Sequence, residues 1–143
     1  MLQISNDTRL MCGIVLVTVP SIEYGGWFLL KMLRMREPGY MDNPLRQNLF
    51  RAGHAHAGVI VILSLICQVL VDSIYLAPAL AWIVRAGIPA AAILMPLGFF
   101  LSATAPRVER PNGAIQLVTV GAVILAISVL ILGVGLVRAA ILG

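Results

Sequence analysis

Residues 52–71 contain no Asp, Glu, Lys or Arg, and residues 86–106 are equally free of charge. A run of that length matches one bilayer crossing, which takes about 20 apolar residues. Two further runs complete the pattern: residues 10–30, whose only charge is Glu23, and residues 113–137, polar only at Gln116, Thr119 and Ser128. The chain has 143 residues, 60% of them hydrophobic and 11% charged, against about 25% charged in soluble domains. The predicted fold is therefore an all-α integral membrane protein, a four-transmembrane-helix bundle. It forms one membrane domain over residues 1–143, with spans at about 10–30, 50–72, 79–105 and 113–138, and no separate soluble catalytic domain fits beside it.

The connections carry the charge. The net charge of +4 comes from ten Lys/Arg against six Asp/Glu, but the basic residues sit in short loops between apolar runs, which excludes nucleic acid as a partner and points to membrane orientation. Lys31, Arg34, Arg36, Arg46, Arg51, Arg107 and Arg110 flank the first and third connections; Arg9, Arg85 and Arg138 flank the other side. That asymmetry predicts a bacterial inner-membrane type of protein with both termini facing away from the cytoplasm. The first run has neither a basic leading region nor a small-residue cleavage site, so it reads as a span and not a removable signal. In the first connection Pro38-Gly39 signals a turn, and Asn43 can cap a helix opening with Pro44. Cys12 and Cys67 lie in separate apolar runs with no C-x-x-C, which argues against a disulfide framework, a zinc knuckle and covalently attached haem. Pro89 and Pro96 lie seven residues apart, on about one helix face, where they bend the third span or border a cavity.

A polar group in hydrocarbon costs several kcal/mol when unsatisfied, which makes the few intramembrane polar residues the functional candidates. They are Glu23, His54 and His56, with Gln68, Asp72 and Arg85 nearer the ends and the last two expected at the water interface. Counted along a helix, Glu23 lies about 12 Å and His56 about 9 Å inside the same boundary. Glu23 can pair with an imidazole as a structural ion pair, which is the default reading; it can also be protonated and hydrogen-bonded, or act as a proton-coupling carboxylate. Trp27, Tyr40, Tyr75 and Trp82 fall near span ends, where interfacial anchoring accounts for them.

Residues 50–58, Phe-Arg-Ala-Gly-His-Ala-His-Ala-Gly, are the most informative tract. At about 100° per residue, His54 and His56 point roughly 200° apart, so the pair cannot chelate one ion. One imidazole can be an axial ligand to a planar cofactor, with Ala52, Gly53, Ala55, Ala57 and Gly58 leaving flat space for a macrocycle. It can equally be a hydrogen-bonding strut between helices, which small residues also favour.

Three patches carry a likeness to a known family: Gly26-Trp27 with Pro38-Gly39-Tyr40; Ala55-His56-Ala57-Gly58; and Gly98-Phe99-Phe100-Leu101-Ser102 with Pro106 and Pro111-Asn112-Gly113. In order and spacing the chain resembles the styrene oxide isomerases, small four-span membrane enzymes that bind haem b. The resemblance implies His56 as the iron ligand, with His54 available to contact a propionate or a neighbouring protomer. It implies that ferric haem acts as a Lewis acid on the oxygen of a small hydrophobic epoxide arriving from the lipid. Ring opening towards a carbocation and a 1,2-hydride shift then give the aldehyde. It also implies a homotrimer with haem near the subunit boundary. The chain departs from the family at the candidate pocket, where Ile62, Ala92 and Phe100 stand for Asn, Asp and Tyr; Glu23 has no counterpart, and His54 takes the place of an arginine. Two alternatives follow from the same residues: a non-catalytic haem protein for electron transfer, sensing or gas binding, and a small proton-coupled transporter using Glu23.

Overall fold

The computed structural model describes residues 4–142, and each apolar run becomes one long helix. Helix α1 spans Asn6–Arg34, a single turn α2 spans Pro38–Met41, and α3, α4 and α5 span Pro44–Val71, Pro78–Leu101 and Gln116–Leu142, the last led by a 3₁₀ turn at Gly113–Ile115. Four of them are long and apolar enough to cross a membrane. With no strand among the described residues, the protein is the expected all-α bundle of four membrane-crossing helices.

Local chemistry sets the boundaries. The Ser5 side chain accepts from the Thr8 N–H at 3.1 Å and caps α1, and the Asn43 side chain accepts from Arg46 at 3.1 Å ahead of Pro44, the predicted cap. These caps satisfy N–H groups left over in the first turn. The first helix ends where Arg36 turns left-handed, at φ 50°, and the Glu37 N–H bonds back to the Met32 carbonyl at 3.0 Å. The third crossing stops at Leu101, short of the expected 105. Pro106 disfavours helix in the residue before it, and Asn112 takes over the end of α4, its side-chain amide donating to the Leu101 carbonyl at 2.9 Å and its backbone N–H to Ser102 at 3.1 Å.

Helix α4 lies along both α3 and α5, while α1 packs on α3 and barely touches α4. Hydrocarbon offers helices no hydrophobic reason to associate, so close approach through small residues takes that role. A Cβ on Gly98 would come 2.7 Å from the Val118 backbone nitrogen, and one on Gly121 would come 2.6 Å from Met95. Ile60, Cys67, Val84, Ile88 and Leu132 form the main core, and a second cluster at the loop end joins Leu29, Met32, Tyr40, Phe50 and Ala103.

Two sequence expectations fail here. Tyr40 is not an interfacial anchor: α2 folds it inward against Phe50, fully buried and with its hydroxyl unpartnered. Trp27, Tyr75 and Trp82 are exposed as anchors should be. Nor do Asp72 and Arg85 sit in water. They form an ion pair with both side chains 6% exposed, because the start of α1 folds over the α3–α4 turn and closes it off. Around Arg85, the Thr8 hydroxyl at 2.6 Å and the Gln68 amide oxygen at 3.2 Å accept further bonds. At the opposite end Arg46 clips the loops together, donating to the carbonyls of Gly39, Ala103 and Thr104 at 3.0, 3.1 and 3.3 Å.

Candidate functional site

The two histidines point to opposite sides of α3, as the helical angle requires. His54 lies in the seam with α1, where a Cβ on Gly26 would meet its ring at 3.1 and 3.2 Å; Gly26 is the residue that lets the imidazole in. It makes no hydrogen bond to the described residues. His56 faces the α4 side, its ring 5.0 Å from that of Phe99, and its Nδ1 lies 2.7 Å from the Ala52 carbonyl oxygen. A carbonyl can only accept, so Nδ1 carries a proton and donates, and Nε2 is the nitrogen left to act as a ligand. Both rings are half-buried.

The small residues divide between these sides instead of forming one flat surface. Gly53 and Ala57 are buried towards α4, and a Cβ on Gly53 would meet Phe99 and Phe100 at 3.1 Å. Ala55 is exposed, Ala52 half-buried, and Gly58 opens onto space. The cause is the helical turn itself: at about 100° per residue, the seven positions from Ala52 to Gly58 span more than a full circle, so neighbours in sequence face different partners.

The candidate pocket residues are likewise split between two recesses. Ala92 and Phe100 line a cavity of about 320 Å³ between α1, α3 and α4. Glu23 and Ile62 line a separate groove along the outer seam of α1 and α3. His54 borders both recesses, and His56 borders neither. Glu23 is exposed on the outer side of α1, and the only ion pair among the described residues joins Asp72 to Arg85. Its default reading as a partner of one imidazole therefore does not hold within this chain.

Pro89 and Pro96 both line the cavity. Each removes the N–H that would bond four residues back; at Pro89 this frees the Arg85 carbonyl, and Gln68 occupies it instead at 2.8 Å. The sequence reading passed over Ser64. Its hydroxyl is wholly buried, lines the cavity and has no hydrogen-bond partner. The available signal was the spacing of His54, Ala57, Val61 and Ser64, one stripe at intervals of three and four, all four of which line the cavity.

No group of three or more His, Cys, Asp or Glu among the described residues could hold a metal ion. Fold and site together define a four-helix bundle able to cross a membrane, with one imidazole tied through Nδ1 to a backbone carbonyl. Comparison with family models, curated proteins and solved structures finds no match to this chain.

Proposed function

We propose that this chain is a haem b-dependent membrane isomerase of the styrene oxide isomerase type, converting a small hydrophobic epoxide to a carbonyl compound. The bond from His56 Nδ1 to the Ala52 carbonyl at 2.7 Å carries this reading. Ligating histidines almost always give their other nitrogen to such an acceptor, which fixes the tautomer and raises the basicity of the free one. Ala52 lies one helical turn before His56 on that side of α3 and bears nothing beyond a methyl group, and the Phe99 ring lies 5.0 Å from the imidazole. These residues fit a haem. When bound, it would supply a Lewis-acidic ferric iron for the epoxide oxygen.

The rest is the work of the chain's own residues. His56 would hold such a group through its free nitrogen, and His54, fixed in the α1–α3 seam, is turned to the other side of α3 and would not share that task. The outward apolar surface keeps water from trapping a cation as a diol and admits a lipid-soluble substrate. Ile62, Ala92 and Phe100 lie in recesses that His56 does not border and carry no amide, carboxylate or hydroxyl, so they take no part in steering the oxygen. The half-exposed position of His56 suits cover by a second copy, in keeping with a homotrimer.

Arg46 is committed to loop carbonyls and Arg85 to Asp72. Setting both aside leaves six basic residues against two of the original seven and three, and this supports an inner-membrane protein with both termini away from the cytoplasm.

The purified protein is expected to show a Soret band that survives His54→Ala and collapses in His56→Ala; an intact spectrum in the second variant refutes the ligand. Ferric protein should turn aryl epoxides into aldehydes, and reduction to the ferrous state should stop it. Glu23 supports a second reading: exposed within a span and without an ion-pair partner among the described residues, it suits a small proton-coupled exporter. Colourless protein with transport abolished by Glu23→Gln would favour that reading.

A further inference from the structure

The cavity between α1, α3 and α4 is separate from the His56 face, and its lining specifies a ligand. Its approximate 320 Å³ falls at the low end of small-molecule pockets, which run to about 300–1,000 Å³. That is room for a molecule of about one ring. Among the described residues no Asp, Glu, Lys or Arg lines it and His54 is its only titratable member, which suits an uncharged occupant. Thr18 and Ser21 already donate to the carbonyls of Val15 and Thr18, at 2.7 and 2.6 Å. Ser64 differs: it is 0% exposed, its hydroxyl has no hydrogen-bond partner among the described residues, and it borders the void. Leaving a buried hydroxyl unpaired costs about 1–3 kcal/mol. An acceptor oxygen brought in by a ligand would recover that cost.

The same lining residues mark the route of entry. Ile14, Ile93 and Leu97 line the cavity and are also 51%, 55% and 42% exposed, so its mouth opens on the lipid side between α1 and α4. The wedge stays open because α1 packs on α3 and barely touches α4. From these features we infer that the cavity is a haem-independent binding site for a neutral, ring-sized hydrophobe bearing one acceptor oxygen, a ketone or an ether, drawn from the bilayer and held by a hydrogen bond from Ser64.

The test uses the full chain in lipid nanodiscs, with 4′-fluoroacetophenone and its oxygen-free counterpart 1-ethyl-4-fluorobenzene followed by fluorine NMR against empty nanodiscs. Both probes should bind, and Ser64→Ala should weaken the ketone about five- to tenfold, the worth of one hydrogen bond, while leaving the hydrocarbon unchanged. Ala92→Phe, which places a ring inside the void, should weaken both at least tenfold; circular dichroism verifies that each variant is folded. His56→Ala should bind both probes normally, which separates this site from the proposed haem. Equal affinities in Ser64→Ala and the parent overturn the role of Ser64. Binding undiminished by Ala92→Phe in folded protein places the probes elsewhere and overturns the site. Binding lost in His56→Ala assigns the probes to the haem and overturns its independence.

Discussion

Asp72 shows how far a neighbourhood can move one residue. Burial by itself would raise its pKa, but the Ser5 backbone N–H, the Thr8 and Ser5 hydroxyls and the Arg85 guanidinium outweigh that and hold it at about 2, below the ordinary 3.8. A lowered folded-state pKa contributes stability that is fully present above the unfolded value and vanishes as pH falls through the folded one. Acid unfolding in detergent, followed by circular dichroism, should therefore show a loss of stability between about pH 4 and about pH 2 that Asp72→Asn flattens. At this scale the sequence was legible in part. The divergence of His54 and His56 followed from the angle per residue, whereas the burial of Asp72 depends on Ser5, 67 positions away, and no local pattern announces it. Tyr40 failed for the same reason: nearness to a span end predicts an anchor until a neighbouring turn folds the ring inward.

Element boundaries were easier to read, because their causes are local. Ser5, Asn43 and Asn112 cap the helices they precede, and Pro106 helps to end α4 early. Pairing of elements was not legible in the same way, since it rests on glycines that look alike in the sequence. Gly98 and Gly133 differ only in what a Cβ would meet: the Val118 backbone at 2.7 Å in one case and nothing within 4 Å in the other. Backbone cannot swing aside as a side chain does. Gly98→Ala should therefore destabilise the α4–α5 contact by about 1–3 kcal/mol, while Gly133→Ala should be neutral or gain up to about 1 kcal/mol from helix propensity. Thermal unfolding of both variants in one detergent checks the contrast.

For the whole molecule, the Arg85–Asp72 pair ties the start of α1 to the end of α3 and to α4. Removing one member of a buried pair strands the other charge, typically at about 3–5 kcal/mol, whereas replacing both with apolar groups is often close to neutral. Arg85→Met should accordingly unfold far more readily than the parent, and Arg85→Met with Asp72→Leu should recover most of the loss; additive losses in the double variant would contradict a coupled pair.

The sequence by itself determined the number of crossings, their approximate ends and the scarcity of intramembrane polar groups, because hydrocarbon requires long apolar helices and the requirement can be met residue by residue. Only the tertiary structure decided which side of each helix turns inward, and with it the cavity, the free hydroxyl of Ser64 and the separation of the two histidines between different neighbours. In water an amphipathic stripe marks the inward side. Here lipid and core are equally apolar, so that mark is missing, and close packing between distant segments takes its place.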